Sequence, residues 1–525
     1  MDELFGRHTR CRRSGGEGED QSWEGRRALW ARQQAGGMFG RRKPEAYATT
    51  RGLRYYPAKG LTGSGLGRHD EFSRSANDRF SSQHSASKDC FPGLGPKGDP
   101  GLCRSRSRLG SGVHFLRAMT IEFQRAVDRF LGVPICALLS LLSRLRPNPV
   151  LSQPPRRILV ILLSEMGSLV LAQPMFVRLK QWYPGAAIHA LLFAKNREVL
   201  DLLEVIPKEN VLVLDDRSLG GLLADSLRVL RALRALRFDV VIDCELFARV
   251  SSIFSGLSGA AVRVGFHRHT QEGLYRGSFI NRPVLYNPYR HLSLQFLTLA
   301  AAIESHTVPL GKEAVVTACE PPPPLAFPPE ELRQTTAKLH ADFPSLKDKR
   351  LVLVYPSGGL LPIRAWPLEH YFRLCAALLE DGHAIGVVGL PPDKPFGEAI
   401  TAHCRNPNCV DLTGYTGSVR HLLALFHRAA LLVTNDGGPG QFAALTPVPT
   451  IILFGPETPL LYGSLMKECA WFHKPLPCSP CLTAYNHRTS PCDGDNQCLK
   501  QIAPEQVLAK AREMLAGGQA APCSR

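Results

Sequence analysis

The chain has 525 residues, of which 44% are hydrophobic and 21% are charged, and this balance excludes a wholly disordered, collagen-like or coiled-coil protein. The formal net charge is +17, and more than half of that excess lies in residues 1–118. The rest of the chain has no basic stripe interleaved with aromatic residues, so we predict no nucleic-acid partner. The 15 cysteines are too few for a disulfide scaffold, and no secretory signal opens the sequence, so we expect a reducing, cytoplasmic compartment.

Residues 1–118 do not have the pattern of a folded domain, because they are rich in glycine, arginine and serine and poor in regularly spaced apolar residues. Such a segment cannot bury enough apolar surface to offset the entropy that folding costs. We therefore predict a disordered basic extension. A well-patterned segment begins at Met119, and we hypothesise that translation starts there and that the extension is not translated.

Apolar residues recur at helical spacing between Ile121 and Leu145, which predicts an amphipathic helix within residues 119–150. Arginines flank its apolar surface. A basic helix with an apolar face is typical of binding at a membrane interface, and the alternative is a helix packed on its own domain. No run of about 18 uncharged apolar residues occurs, so we predict no membrane-spanning helix.

Short, continuous apolar runs alternate with helical patterns through the rest of the chain, which predicts α/β structure with buried parallel strands. The alternation stops at a proline-rich stretch and then restarts. We predict two Rossmann-like, doubly wound domains at residues 151–318 and 346–516, a linker at 319–345 and a tail at 517–525. A cleft between two such domains is a natural ligand site.

A glycine-rich turn in the second predicted domain follows a buried strand and opens a helix. It contains Asp436, Gly437, Gly438 and Gly440. Glycines let the backbone approach a ligand closely, and the free amides at a helix start attract a diphosphate. The alternative is a tight strand–helix turn that binds nothing.

Two further loops follow predicted strands of the same domain. The first holds Ser357, which can hydrogen-bond a phosphate, and Arg364, whose guanidinium suits phosphate oxygens; the alternative for Arg364 is a surface ion pair. We expect the surface to tolerate removal of the Arg364 side chain. The second loop holds Asp393, which could accept hydrogen bonds from ribose hydroxyls or be a solvated turn residue.

These motifs lie in residues 158–184, 355–367 and 411–454, and Phe454-Gly455-Pro456 closes the last strand. In these stretches the chain resembles glycosyltransferase family 9, the bacterial family that includes the lipopolysaccharide heptosyltransferases, over roughly residues 156–515. The resemblance implies a GT-B fold, with an acceptor domain first and a nucleotide-sugar domain second. It also places Arg364 at the donor phosphates and matches Asp436 to the turn aspartate of the family.

The same resemblance implies an inverting, metal-independent transfer from an ADP-heptose-like donor to a lipid-linked acceptor, either lipopolysaccharide or another cell-surface glycan. It further implies a place on the cytoplasmic face of the membrane, with no cofactor required. A second interpretation of the sequence is a non-catalytic nucleotide-sugar binding protein, and a third is another two-Rossmann enzyme such as a sugar-nucleotide epimerase.

One position departs from the family. Members have an aspartate, the expected base, where this chain has Ser168. A serine cannot act alone as a base near neutral pH, and Glu165 is the nearest carboxylate, so we predict Glu165 as the catalytic base. The alternatives are a base from elsewhere, such as Asp243 or Glu245, or a chain that has lost activity.

Four cysteines cluster near the end of the second domain: Cys478, Cys481, Cys492 and Cys498. Four thiolates can hold a structural zinc ion. The alternatives are a reduced, packed loop or a loop closed by disulfides.

Overall fold

The computed structural model describes residues 121–145, 151–163, 165–246, 248–267, 275–305, 319–482, 490 and 492–517. The predicted extension at residues 1–118 and nearly all of the predicted tail lie outside these described residues.

The described part begins with one long helix, α1, at Ile121–Ser143. Strands and helices then alternate through the first half: β1 Arg157–Ile161, α2 Met166–Trp182, β2 Ala187–Phe193, α3 Arg197–Leu203, β3 Val211–Leu214, α4 Leu219–Leu236, β4 Val240–Asp243, α5 Arg249–Leu257, β5 Val262–Phe266, β6 Arg282–Val284 and α6 Leu292–Ala301. The six strands form one parallel sheet in the order β3-β2-β1-β4-β5-β6.

The second half repeats this alternation after a helix that precedes it. Its elements are α7 Pro329–Asp342, β7 Leu351–Tyr355, α8 Leu368–Glu380, β8 Ala384–Gly389, α9 Lys394–Cys404, β9 Cys409–Thr413, α10 Val419–Arg428, β10 Leu431–Asn435, α11 Gly438–Phe442, β11 Thr450–Phe454, α12 Pro459–Tyr462, β12 Cys469–His473, α13 Gln497–Lys500 and α14 Pro504–Gly517. Its parallel sheet has the order β12-β11-β10-β7-β8-β9.

Both sheets reverse their strand order at the same internal position, which is between β1 and β4 in the first half and between β7 and β10 in the second. Loops diverge at such a reversal and leave a crevice outside the carboxyl ends of the strands, where open α/β sheets bind ligands. The predicted pair of doubly wound α/β sheets is therefore confirmed, and each sheet offers one ligand crevice.

The central strands are buried on both faces, as their continuous apolar sequences predict. Every residue of β7 and of β11 is buried. One hydrophobic cluster contains residues of both halves, among them Phe176 and Leu299 from the first and Leu445 from the second. The two sheets therefore share part of their core.

Hydrogen bonds also join the two halves. His291 Nε2 at the start of α6 lies 2.8 Å from the carbonyl oxygen of Gly463, and the backbone N–H of Arg420 in α10 donates to Glu198 Oε1 in α3 at 3.0 Å. Arg420 also forms a bidentate ion pair with Glu331 in α7. Helix α7 lies inside the predicted linker, and this ion pair attaches it to the second half.

Helix α1 has a window, Ala126–Ser143, that is long and apolar enough to cross a membrane by length and composition. Its mean hydropathy is 1.6, and 17% of the window is buried. The window includes Asp128 and Arg129, which is why a search for an uncharged run does not find it.

Candidate active site

Asn435, at the end of β10, ties together the two loops that flank the crevice of the second sheet. Its side-chain amide donates to the carbonyl oxygens of Pro356 at 2.9 Å and Ser357 at 3.1 Å. Its Oδ1 accepts from the backbone N–H of Trp366 and from the hydroxyl of Tyr371, both at 3.1 Å. The loop after β7 is therefore held against the carboxyl end of β10, and this fully buried amide determines where that loop places Arg364.

Arg364 lies between two carboxylates. Its Nη2 is 2.8 Å from Glu457 Oε2, and its Nε is 3.7 Å from Asp436 Oδ2. The three side chains come from the loops after β7, β10 and β11, which are adjacent strands, so the sheet order brings them together. The structure thus joins the predicted residues Arg364 and Asp436 and adds Glu457, which sequence reasoning missed.

Burial and charge act against each other in this cluster. Burial disfavours the charged form of Arg364, but Glu457 and Asp436 outweigh it and raise the pKa of the guanidinium, so Arg364 stays a cation. Burial raises the pKa of Glu457 to about 8; Arg364 opposes the rise and Asp436 adds to it. Near neutral pH the cluster therefore holds one fixed cation and one carboxyl group that can change its charge.

Ser357 and Asp393 shape their own loops. Ser357 is buried, and its Oγ accepts a hydrogen bond from the backbone N–H of Gly359 at 3.0 Å. Asp393 follows β8, and its Oδ2 accepts from the backbone N–H of Leu390 at 2.8 Å. Both residues lie at the carboxyl edge of the sheet, as predicted, and their contacts with a donor remain predictions.

The three glycines of the turn after β10 differ in their surroundings. A Cβ placed on Gly437 would meet nothing within 4 Å, whereas one on Gly440 would lie 3.0 Å from Ile452 and one on Gly438 would lie 3.3 Å from the ring of Phe442. Gly437 therefore borders open space beside Asp436, while the other two also serve close packing. Helix α11 has five residues, so its dipole adds little to the charge of Arg364.

Glu165 immediately precedes α2 in the first half, and its side chain is half-buried. Ser168, in the first turn of α2, donates a hydrogen bond from its Oγ to Glu165 Oε2 at 3.0 Å. Helix α2 packs against α11 of the other half, and a Cβ on Gly167 would come within 3.1 Å of Gln441 Cγ. The loop with the predicted base therefore faces the turn that follows Asp436.

The alternative bases Asp243 and Glu245 occupy the reversal point of the first sheet. Asp243 has no exposed surface; it pairs with Arg276 at 2.6 Å and accepts from Ser252 Oγ at 3.0 Å and from the backbone N–H of Glu245 at 3.1 Å. An acceptor hydroxyl cannot reach such a carboxylate. Glu245 is also buried, and its Oε1 accepts from the backbone N–H of Leu163 at 2.6 Å.

The four clustered cysteines line one small cavity of about 140 Å³ together with Asn496 and Gln497. None of the four is in a disulfide, Ser490 Oγ donates to Cys481 Sγ at 3.1 Å, and burial raises the pKa of Cys498 to about 11. In the described part of the chain, no group of three histidine, cysteine, aspartate or glutamate side chains is arranged to hold a metal ion. The four thiols line one cavity, and a structural zinc ion held by them stays a prediction.

Comparison with known proteins agrees with this geometry. Residues 226–490, half of the chain, match the model of glycosyltransferase family 9 (heptosyltransferase). The chain is similar to lipooligosaccharide heptosyltransferase 2 of Haemophilus ducreyi, with 24% identity over 371 residues that cover 69% of this chain and 99% of that protein. It is similar to lipopolysaccharide heptosyltransferase 2 of Escherichia coli, with 24% identity over 370 residues that cover 68% of this chain and 98% of that protein.

The fold has solved counterparts. The structure of E. coli ADP-heptose lipopolysaccharide heptosyltransferase II superimposes with a TM-score of 0.55 and 20% identity over 69% of this chain and all of that one. A family 9 glycosyltransferase from Veillonella parvula gives a TM-score of 0.54 and 20% identity over 69% of this chain and 97% of that one. The chain therefore belongs to glycosyltransferase family 9 and is a heptosyltransferase-like glycosyltransferase with a GT-B fold.

Proposed function

We propose that the protein transfers a heptose-type sugar from a nucleotide-diphosphate donor, of which ADP-heptose is the first candidate, to a lipid-linked glycan of the lipopolysaccharide type. The observation that carries the donor assignment is Arg364, a buried cation between Glu457 and Asp436 at the reversal point of the second sheet. The names of the relatives, which the chain matches over almost their whole length, support the choice of sugar and acceptor.

In this proposal Arg364 pairs with the diphosphate of the donor. The sugar–phosphate bond breaks with charge building up on the diphosphate, and a cation fixed in a poorly solvated place stabilises that charge better than it stabilises the intact donor. Gly437 leaves room for the donor beside Asp436. A resident cation of this kind supports a reaction that requires no metal ion.

The acceptor hydroxyl needs a base, and we assign that role to Glu165, whose loop faces the turn that follows Asp436. Ser168 orients Glu165 by donating to its Oε2, and the Glu165 carboxylate takes the proton of the hydroxyl as the oxygen attacks the sugar carbon. Attack from the face opposite the leaving diphosphate inverts the configuration at that carbon. The family aspartate is replaced, in this proposal, by a serine–glutamate pair.

Turnover tests the proposal. Purified protein is incubated with ADP-heptose, with a panel of other nucleotide sugars and with a lipid A-type acceptor, and released nucleotide and glycosylated acceptor are measured. We expect both products in equal amounts from ADP-heptose. Nucleotide-sugar binding without product from any donor would contradict catalysis and support the binding protein, whereas an isomerised nucleotide sugar would identify an epimerase.

A further inference from the structure

Helix α1 differs from an ordinary surface helix, because its small side chains face the protein and its large apolar side chains face outward. Gly132, Cys136 and Ser140 are buried at a spacing of four residues. A Cβ on Gly132 would lie 2.8 Å from the side chain of Arg249, so the glycine is required for this close approach. The helix therefore lies along the first half and packs through its narrow face.

Polar contacts fix the rotation of the helix. Asp128 accepts hydrogen bonds from the backbone N–H groups of Arg249 at 2.8 Å and Val250 at 3.1 Å, and it pairs with Arg249 Nη1 at 3.0 Å. Ser140 Oγ accepts from the hydroxyl of Tyr275 at 2.8 Å and from the backbone N–H of Ser278 at 2.7 Å. These contacts, near both ends of α1, determine which face points outward.

The outward face consists of large apolar side chains, which we call the α1 outer face: Phe130, Leu131, Ile135, Leu138, Leu141, Leu142 and Leu145. They lie on one side of the helix at spacings of one, three or four residues and form one continuous stripe, which Leu145 extends two residues past the end of α1. Leu131 is 60% exposed and Leu138 is 57% exposed. A stripe of this size, held outward by specific hydrogen bonds, indicates a surface that binds something apolar.

The charged residues beside the α1 outer face indicate which kind of apolar partner binds there. Arg129 and Arg144 are exposed near the two ends of the stripe. Asp128 is the one acidic side chain among residues 126–145, and it is already paired with Arg249. Two copies of α1 that paired antiparallel through this face would bring Arg129 of one copy near Arg144 of the other, which repels. An apolar layer below a negatively charged surface fits both features.

We propose that the α1 outer face binds the surface of an anionic lipid bilayer, with the helix lying in the interfacial plane and the seven apolar side chains inserted between the lipids. A spanning orientation would require the opposite face, with Asp128 and Ser140, to leave the protein. Asp128 accepts a hydrogen bond from the start of α5, and α5 follows β4 at the carboxyl edge of the first sheet. Strand β1 is the neighbour of β4 in that sheet, and Glu165 lies in the loop after β1. Membrane binding thus places that edge at the lipid surface, whichever sugar is transferred.

The test uses the full chain and sedimentation with vesicles of phosphatidylcholine alone or mixed with phosphatidylglycerol. We expect binding to the mixed vesicles that weakens at high salt, and release by alkaline carbonate. The variant Leu131→Ser/Leu138→Ser is expected to lower the partition coefficient by at least about tenfold, because two large side chains no longer insert. The matched control is Leu223→Ser/Leu227→Ser on α4, whose leucines are 60% and 57% exposed and lie outside the α1 outer face.

Circular dichroism and the melting temperature show that each variant is folded, and light scattering gives its oligomeric state. Equal vesicle binding by the α1 variant, the α4 variant and the parent protein would overturn the proposal. A parent dimer that the α1 variant converts to a monomer, with no vesicle binding by either, would overturn it in favour of a second copy. Resistance to alkaline carbonate would overturn the interfacial orientation.

Discussion

Ser168 Oγ donates a hydrogen bond to Glu165 Oε2 at 3.0 Å, so the residue that stands where the family has its catalytic aspartate is bonded to the carboxylate that we assign as the base. The hydrogen bond fixes the position of one of the two carboxylate oxygens of Glu165. The substitution at 168 therefore does not leave this loop without a carboxylate. In our proposal, Glu165 supplies the carboxylate in place of position 168, and Ser168 orients it.

Arg364→Ala is expected to weaken donor binding by roughly ten- to a hundredfold, since a charged hydrogen-bonding partner of the diphosphate is lost. Isothermal titration with ADP-heptose or ADP measures this. The matched control is Arg333→Ala, which removes an exposed arginine that pairs with Glu330 in α7. Equal donor affinities of the two variants would remove Arg364 from the donor site.

Arg364→Ala should also lower stability, contrary to the expectation that the surface tolerates it. The side chain is 15% exposed and lies between the buried carboxyl groups of Glu457 and Asp436, which lose their cationic partner in the variant. We expect a loss of about 3 kcal/mol in the free energy of unfolding, at the lower end for a broken buried pair because Glu457 can take up a proton. Urea unfolding measures it, and Arg364→Lys should recover most of the stability.

Donor affinity should fall as pH rises from about 7 to about 9. The pKa of Glu457 is raised to about 8, so the carboxyl is mainly neutral below that pH and gains a negative charge beside the diphosphate above it. Because the folded-state pKa lies above the ordinary value of 4.5, stability from the neutral carboxyl is complete below about pH 4.5 and is lost as pH rises through 8.

Glu457→Gln tests this charge directly, since the amide keeps the size of the side chain and cannot ionise. We expect the variant to bind donor with nearly the same affinity across this pH range at constant ionic strength. A pH dependence that is unchanged in Glu457→Gln would show that another group titrates.

Asn435→Ala should destabilise the second half and weaken donor binding together. Three groups in the loop after β7 and the hydroxyl of Tyr371 in α8 lose a buried partner, and each unsatisfied group costs free energy. We expect a loss of about 3 kcal/mol or more in the free energy of unfolding. Asn435→Asp keeps the acceptor and loses the donor, so it should fall between the parent and Asn435→Ala; equal stability of all three proteins would contradict the role of this amide.

Most of the fold could be predicted from the sequence, because buried parallel strands are continuous apolar runs. Strand β9 has no continuous apolar run, because Asp411 interrupts it, and strand β12 is only partly buried. Helix α7 has one buried residue, Leu339, so no apolar periodicity marks it within the predicted linker. Periodicity detects an element through its buried face, and these elements bury little or interrupt their apolar run.

The candidate site could be predicted in part for a similar reason. Arg364 and Asp436 each follow a buried strand, and parallel strands end at one edge, so their meeting was foreseeable. Glu457 also follows a buried strand, β11, but it lies outside the glycine turn and its partner comes from a different loop. The adjacency of β11 and β10 in the sheet was the missing information.

We expect that transfer does not require a metal ion, because in our proposal Arg364 is the cation that pairs with the diphosphate. We expect turnover after treatment with a chelator to stay within about twofold of the untreated protein. The predicted zinc ion at the four cysteines is structural and takes no part in transfer. Metal analysis of the parent protein and of Cys478→Ser tests for it. Loss of turnover on chelation that Mg²⁺ restores would contradict the assignment to Arg364.

The most direct measurement is the single-turnover rate of Glu165→Gln with saturating ADP-heptose, beside Ser168→Ala and the double variant Glu165→Gln/Ser168→Asp. We expect a loss of roughly 10²–10⁴ in rate for Glu165→Gln with donor affinity unchanged, and a loss of at most about tenfold for Ser168→Ala. The double variant should recover part of the rate, because position 168 then carries a carboxylate. A Glu165→Gln protein that transfers the sugar at the parent rate would contradict the assignment of Glu165 as the base.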